Sequence, residues 1–232
     1  MQKKIAISQS NYIPWRGYFD LIGYVDVFVF FDEVQFTRRD WRNRNKIICN
    51  NDIKWLTIPL KNRGNYFESI LNMKVKDSKW IQDHLNKIKS YYNHLKNFRE
   101  NFEIIRKIYD KINSDKLSTI NQILIKEICE VLEIKTKFYN SIEFGEKKTA
   151  KNPSTRLLEI CEKNFASVYV SGSSAQNYLD KNIFSDKNIK IEWFDYKVSK
   201  TNDKDDLLES NLSIVDNIMN FGLDKSKFLK YP

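Results

Sequence analysis

The N-terminal residues alternate between apolar runs and polar loops in the pattern of a βαβ unit. Residues 5–8 and 27–31 are short apolar runs, which predict two buried strands. Residues 15–24 between them predict one helix of about three turns, and Pro14 suits its start. Because a βαβ unit joins two parallel strands, this pattern predicts the beginning of a parallel sheet.

Further along the chain the pattern becomes that of a hairpin, then helical, then α/β again. Residues 46–49 and 54–59 flank a turn at 50–52 and predict a β-hairpin. Residues 79–133 repeat apolar positions at helical spacing over three successive segments, which predicts three helices. The last part predicts strands at residues 137–141, 167–171 and 189–194, and helices at residues 156–161 and 207–221.

The order of these elements predicts an α/β fold, with a Rossmann-like mixed, mostly parallel sheet flanked by helices and an all-helical insertion. We expect residues 1–78 to form an N-terminal α/β part that carries the candidate site, and residues 79–134 to form the insertion. Residues 135–232 would form the C-terminal part that completes the same sheet. A chain of this length buries roughly 70% of its unfolded surface, so it needs no disulfide to fold.

Composition narrows the classes of function. Cys49, Cys129 and Cys161 are far apart and form no CxxC pair, which argues against a disulfide framework and a zinc ribbon. No long apolar run occurs, so we expect a cytoplasmic protein without a membrane span. The net charge of +9 fits an acidic partner such as a nucleotide sugar, RNA or an anionic membrane surface, and it equally fits lysines dispersed over solvated helix faces.

Candidate site residues follow the two strands of the βαβ unit, because the carboxyl ends of parallel strands face a common crevice. The first loop supplies Gln9 and Asn11, which we expect to orient a ligand together with Asn45. It also supplies Tyr12 and Trp15, whose rings fit either stacking on a ligand or packing in the core beside a helix start. The second loop supplies Asp32, Gln35, Arg38, Trp41, Arg42, Asn43, Arg44 and Asn45. Arginine grips phosphate or carboxylate with two hydrogen bonds and stacks on rings, so this cluster predicts an anionic ligand with a flat moiety, such as a nucleotide-linked substrate.

A third candidate segment follows the strand predicted at residues 167–171. Ser171, Gly172 and Ser173 lead into a short helix through Tyr178, and backbone amides in such a loop can hold an anion or oxyanion. The loop is neither a P-loop nor the nucleophile elbow GxSxG, and both a serine nucleophile and a plain ligand-binding turn stay open. His84 is a candidate general base. No metal-ligand pattern occurs, and we expect no bound metal.

Several motifs of this chain closely resemble those of the WbqC-like protein family. The resemblance is carried by QSNYIPWRGYFD at residues 9–20, Asp26, FVFFDEVQF at residues 28–36 and WRNRN at residues 41–45. Further similar segments are WLTIP at residues 55–59, YVSGSS at 169–174, YLD at 178–180, LSIVD at 212–216, and Phe221 with Gly222. Residues 196–203 depart from the family, which tends to have a tyrosine- and proline-containing segment ending in glutamine there.

The resemblance implies an enzyme of bacterial surface-polysaccharide biosynthesis, of the O-antigen or lipopolysaccharide type. It implies transfer of an aminoacyl group such as glycyl, or of an acyl group, to the amine of a nucleotide-linked amino sugar. In that reaction we expect Arg38, Arg42 and Arg44 to hold the anion and Asp32 to accept the amine proton. Candidates for the activated donor are aminoacyl-tRNA, acyl-CoA, and ATP plus an amino acid.

Two alternatives to acyl transfer stay open from the sequence. One is a nucleotidyl- or adenylyl-transferring enzyme, since a strand followed by a proline-containing loop and a helix resembles the phosphate-binding start of such folds. The other is a non-catalytic component of the pathway that binds a nucleotide sugar or RNA, including tRNA.

Overall fold

A wholly parallel sheet forms the centre of the molecule. The computed structural model describes residues 2–50, 52–61, 67–145, 153–194 and 211–231. The described strands are β1 (Lys4–Ser8), β2 (Val27–Phe30), β3 (Arg44–Cys49), β4 (Asp52–Thr57), β5 (Lys137–Asn140), β6 (Val168–Gly172) and β7 (Lys190–Phe194). Five of them pair in parallel in the order β5-β2-β1-β6-β7. Counted along the chain within the sheet, this is the 3-2-1-4-5 order of Rossmann-like folds, which confirms the predicted fold class.

The remaining two strands form a hairpin outside that sheet. β3 and β4 pair antiparallel, with Lys46 opposite Trp55 and Ile47 opposite Lys54. The predicted hairpin is therefore present, and its first strand begins at Arg44, earlier than the pattern indicated. The candidate residues Arg44 and Asn45 lie on this strand rather than in a loop.

The helices follow the predicted order, except that the helix Lys181–Ser185 was not predicted and the short helix expected before Tyr178 is a 3-10 turn at Ser173–Asn177. They are α1 (Arg16–Tyr24), α2 (Lys79–Tyr92), α3 (Phe98–Asp110), α4 (Leu117–Val131), α5 (Pro153–Lys163), α6 (Lys181–Ser185) and α7 (Ile214–Phe221). The start expected for the last helix at residue 207 lies outside the described residues, as does the departing segment at residues 196–203. Helix α7 begins at Ile214, where the Ser213 side chain accepts a hydrogen bond from the backbone N–H of Val215. No helix in the described part of the chain is long and apolar enough to cross a membrane.

The sheet is covered on both faces, and successive strand residues alternate between two cores. Ala6, Phe28 and Phe30 face a large core built from α1, the three helices α2 to α4, α7 and the inner side of the hairpin. Ile5 and Val29 face a smaller core with α5 and α6. Because both faces are buried, the strands are continuous apolar runs instead of alternating ones.

The helical block between β4 and β5 shares its core with the sheet. Ile88 of α2, Ile105 of α3 and Leu124 of α4 belong to the same buried cluster as Phe19 and Phe28. The block closes over the sheet and the hairpin. The three-part division at residues 78/79 and 134/135 stays a prediction.

The end of the described chain docks onto α1. The carboxylate of Asp20 accepts hydrogen bonds from the backbone N–H groups of Lys230 at 2.6 Å and Tyr231 at 3.0 Å. The rings of Tyr24 and Tyr231 lie 4.7 Å apart. A Cβ added at Gly23 would lie 2.7 Å from the backbone oxygen of Tyr231, so only glycine allows this approach.

We expect Gly23→Ala to destabilise the protein. Alanine favours a helix interior by about 1 kcal/mol over glycine, yet the added methyl group would displace the backbone at Tyr231. The midpoint of urea unfolding should fall. Ser90→Ala, at an exposed position of α2, is the matched control and should leave the midpoint unchanged or raise it. A rise in the Gly23→Ala variant would show that the docking of the chain end contributes nothing to stability.

Candidate ligand-binding site

A buried carboxylate holds the loop that follows β1. Asp32, just after β2, is 2% exposed. Its Oδ1 accepts a hydrogen bond from the backbone N–H of Ser10 at 2.7 Å. Its Oδ2 accepts bonds from Ser118 Oγ at 2.5 Å and from Gln122 Nε2 at 3.2 Å. Asp32 therefore joins the ends of β1 and β2 to α4, and its oxygen atoms are covered by these partners.

The turn at Ile13 is held by an asparagine and a serine. Ile13 has a φ of 35°, in the left-handed region that β-branched residues rarely adopt. The Asn45 side chain donates hydrogen bonds to the carbonyl oxygen atoms of Tyr12 at 3.1 Å and Ile13 at 2.8 Å. Ser213 Oγ donates to the Ile13 carbonyl oxygen at 2.7 Å. Asn45, expected to orient a ligand, is buried and supports this turn.

A buried chain of hydrogen bonds runs through Tyr12. Its hydroxyl group lies 2.7 Å from Nδ1 of His84 and 2.5 Å from the hydroxyl group of Tyr109. Tyr12 is 0% exposed and His84 is 2% exposed. The Tyr12 ring, a candidate stacking face, is therefore inside the core. His84 contacts the loop after β1 from the core side.

His84 is held in its neutral form. Its pKa is lowered from 6.5 to about 4, mainly by burial and in smaller part by the positive charge of Lys87, while a hydrogen bond with the backbone of Thr57 acts in the opposite direction. A neutral imidazole can accept a hydrogen bond from the Tyr12 hydroxyl group at Nδ1 and donate a hydrogen bond to the Thr57 backbone from its other nitrogen. His84 thus ties the loop after β1 to α2 and β4.

A cleft of ≈ 460 Å³ opens at the carboxyl ends of β1 and β6. These strands are neighbours, and the chain leaves β1 toward one edge of the sheet and β6 toward the other. Such a topological switch point is where open α/β sheets bind their ligands. The polar side chains among the lining residues of the cleft are those of Ser8, Gln9, Arg156, Tyr169, Ser171, Ser174 and Tyr178.

Arg156 is a buried cation in the wall of this cleft. It is 2% exposed and donates from Nε to Glu33 Oε1 at 2.9 Å. Its Nη2 donates to the carbonyl oxygen atoms of Ser141 at 2.9 Å and Gly145 at 2.5 Å. The ion pair fixes the segment after β2 against the start of α5. Arg156 was not among the residues predicted from the sequence, although an arginine beside Leu157 on a largely apolar helix face was a signal for it.

The arginine cluster lies in a second concavity. A pocket of ≈ 320 Å³ is lined by Phe36, Arg38, Arg39, Asn43, Arg44 and Thr57. Arg42 separates it from the cleft, because its guanidinium group donates to Gln9 Oε1 at 2.6 Å and to Asn11 Oδ1. The single crevice expected from the sequence is thus two concavities. The physical reason is that the chain leaves the sheet after β2 and enters the hairpin, which carries its arginine residues away from the cleft.

The remaining candidates have the following places. Gly172 lines the cleft beside Ser171, and Ser173 starts an exposed 3-10 turn that leads to Tyr178. The Trp15 indole lies over Gly17, and a Cβ there would meet the indole within 2.4 Å. The Asn43 side chain donates to the carbonyl oxygen of Ile58 at 2.9 Å, and the backbone of Gln35 forms an isolated antiparallel β-bridge with Ser69.

The acidic residues of the signature do not converge on a cation. Asp20 holds the chain end, Asp26 accepts from the backbone N–H of Lys4 at 2.7 Å, and Asp32 holds the loop after β1. Within the described ranges, no group of three or more His, Cys, Asp or Glu side chains is placed to hold a metal ion.

The comparisons with known proteins agree with the motifs that build this site. The model of the WbqC-like protein family matches residues 9–228. The chain belongs to the WbqC-like protein family. It is also similar to uncharacterized protein Rv1507c of Mycobacterium tuberculosis (strain ATCC 25618 / H37Rv), at 36% identity over 232 residues, covering 99% of this chain and 98% of that protein. No solved structure gives a significant match.

The WbqC-like signature of this chain divides into two structural roles. Tyr12, Asp32 and Asn45 are buried and hold the loop after β1. Gln9 and Ser171 line the cleft. The strand ends could be used to group these residues, but nothing local pointed to Tyr109 and Ser118, which come from helices far along the chain. Ser213 lies in the family-like segment at residues 212–216, yet its bond to Ile13 could not be foreseen from that segment.

The buried His84 should make stability depend on pH. Its pKa is about 4 in the folded protein and about 6.5 when unfolded, so the unfolded chain binds more protons between these values. Stability is fully present above about pH 6.5 and falls as pH drops to about 4, by an amount on the order of 3 kcal/mol.

We expect His84→Gln to remove this dependence, because an amide can donate and accept hydrogen bonds but does not titrate. Urea unfolding in steps from about pH 7 to about pH 4 measures the free energy of both proteins. Wild type should lose stability relative to the variant as pH falls. A difference that is constant with pH would show that His84 is not held neutral in the fold.

Proposed function

We propose that this WbqC-like protein is an enzyme of bacterial surface-polysaccharide biosynthesis that binds a nucleotide-linked amino sugar in the cleft at β1 and β6. In this proposal it transfers an aminoacyl or acyl group to the sugar amine. The observation that carries the proposal is the position of the cleft at the switch point of a sheet with Rossmann strand order. Its volume of ≈ 460 Å³ is in the range of small-molecule sites, which run from roughly 300 to 1,000 Å³.

The lining of the cleft suits a polar, phosphate-bearing ligand. Gln9 offers an amide, and Ser171 and Ser174 offer hydroxyl groups that can donate to phosphate or sugar oxygen atoms. Pro153, the first residue of α5, also lines the cleft, and the positive end of a helix dipole favours an anion. Tyr178 is 67% exposed at the rim, where its ring can stack on a base.

The chemistry of the step limits what the protein must supply. The amine nitrogen attacks the carbonyl carbon of the donor, a C–N bond forms, and the bond from that carbon to the leaving group breaks. The leaving group is a ribose oxygen, a thiolate or an adenylate phosphate, depending on the donor, and it or water takes the amine proton. Because the donor is already activated, no covalent nucleophile is needed. Asp32 has both oxygen atoms engaged, so we assign it the positioning of the Gln9 loop.

Binding to the cleft can be tested with a matched pair of variants. A nucleotide sugar that binds the native state raises the melting temperature. We expect a panel of uridine, thymidine and guanosine diphosphate sugars to contain at least one that shifts wild type. Tyr178→Ala should reduce that shift and Arg44→Ala should keep it, because Arg44 lines the other pocket. Loss of the shift in Arg44→Ala with retention in Tyr178→Ala would place the ligand in the arginine pocket instead.

Catalysis needs a separate measurement. The purified protein is incubated with the amino form of the nucleotide sugar that raises its melting temperature, together with aminoacyl-tRNA, acyl-CoA, or ATP plus an amino acid. The mass of the sugar product is then measured by mass spectrometry. Acyl transfer adds the mass of the acyl group to the sugar. Nucleotidyl transfer would instead add the mass of a nucleotidyl group to its acceptor and release pyrophosphate without any acylated sugar, and a thermal shift without either product would support a non-catalytic binding component.

A further inference from the structure

The outer face of the hairpin carries aromatic and cationic side chains that lie outside the two hydrophobic cores. Residues of β3 and β4 alternate between two sides, and Asn45, Ile47 and Leu56 are buried on the inner side. On the outer side Lys46 lies opposite Trp55. Trp55 is 39% exposed. We call the outer face, made of Trp41, Arg44, Lys46 and Trp55, the hairpin face.

The aromatic rings of the hairpin face form one platform. The ring centres of Trp41 and Trp55 lie 5.6 Å apart with an angle of 30° between their planes. The guanidinium carbon of Arg44 lies 4.1 Å from the centre of the Trp55 ring. The ammonium nitrogen of Lys46 lies 5.3 Å from Trp41 and 5.5 Å from Trp55. Two indoles with cations at their faces offer stacking surface and positive charge at the same place.

Part of the positive charge of this region has no ion-pair partner in the part of the chain that the structure describes. Across the described residues, the ion pairs of the hairpin segment are Arg42 with Asp40 and Lys54 with Asp52. Arg39, Arg44 and Lys46 have no acidic side chain within ion-pair distance in the same described ranges. Nε of Arg44 is also buried without a hydrogen-bond partner there.

The platform continues into the arginine pocket. Arg44 belongs to both, since it lies over Trp55 and also lines the ≈ 320 Å³ pocket with Arg38 and Arg39. Its Nη2 donates to the carbonyl oxygen of Arg39 at 2.6 Å, which holds the two arginine residues at one wall. A ligand with rings and regularly spaced phosphates can therefore place its rings on the indoles and a phosphate in the pocket.

We propose that the hairpin face binds a single-stranded nucleic acid. Stacked bases and backbone phosphates match a platform of aromatic rings beside a cationic groove, and the bases of a duplex are not open to stacking. The net charge of +9 favours approach of a polyanion. The inference does not depend on the transfer reaction, because Arg42 and its bonds to Gln9 and Asn11 separate this face from the cleft.

The test is fluorescence anisotropy with labelled single strands of about 12 nucleotides, in RNA and DNA form, and a duplex of the same sequence. We expect the single strand to bind more tightly than the duplex. Trp55→Ala should weaken binding about tenfold or more, and Trp55→Phe should bind more tightly than Trp55→Ala because it keeps an aromatic ring. Comparing the affinities of the RNA and DNA single strands shows which of the two nucleic acids the hairpin face prefers.

Two lysines of the hairpin give a matched charge pair. Lys46 and Lys54 lie on opposite sides of the hairpin, because they pair with Trp55 and Ile47 respectively. Lys46→Ala should lower affinity and reduce the slope of log K against log salt by about 0.7, whereas Lys54→Ala should leave that slope unchanged. Circular dichroism confirms that each variant is folded.

Several results would overturn the proposal. They are no binding of wild type at about 50 mM salt, equal binding of duplex and single strand, or equal effects of Lys46→Ala and Lys54→Ala. Binding to vesicles of anionic lipid without binding to oligonucleotides would assign the face to a membrane surface. Displacement of the oligonucleotide by a nucleotide sugar whose thermal shift is lost in Tyr178→Ala and kept in Arg44→Ala would place the oligonucleotide in the cleft, a result that contradicts this inference but leaves the proposed function intact.

Discussion

The hydrogen bonds of the buried Asp32 carboxylate are the constraint on which the candidate site depends. A buried charge is tolerated only when its oxygen atoms are satisfied, and Asp32 meets this condition with groups from the β1 loop and from α4. Removing the carboxylate would leave the Ser10 amide and the Ser118 hydroxyl group without their acceptor, while Gln122 Nε2 would keep only its hydrogen bond to Ser118 Oγ at 3.0 Å. The same bonds fix Gln9 at the mouth of the cleft, so the geometry of the ligand site and the packing of the helical block are coupled.

The βαβ unit and the hairpin could be predicted from the sequence because apolar runs and turn residues are local signals. The division of the signature into buried and exposed members could not. Tyr12 and Trp15 are aromatic side chains beside a helix start, and only the positions of His84 and Tyr109 show that the Tyr12 ring points inward. Likewise the arginine residues are adjacent in sequence, but the bonds of Arg42 to Gln9 and Asn11 divide them in space.

In the two proposals above, the cleft and the hairpin face give the protein separate means of recognition. The cleft at the ends of β1 and β6 has a neutralised cation in its wall, since Arg156 is paired with Glu33. The hairpin face has cations without carboxylate partners in the described part of the chain. Electrostatic attraction over long range therefore belongs to the hairpin face, while shape and hydrogen bonding govern the cleft. The two sites can differ in salt dependence although they lie on one small molecule.

The hairpin is held by its inner side chains and by the Ser213 amide, which donates to the Lys46 carbonyl oxygen at 2.9 Å, and not by ladder bonds to the parallel sheet. Its tip can therefore change in length or sequence without shifting the register of any sheet strand. Among relatives, the turn between β3 and β4 is the place where insertions should accumulate at little thermodynamic cost. The loop after β1 has no such freedom, because each residue from Ser10 to Ile13 is hydrogen-bonded to a distant element, and a change of length there would break these bonds.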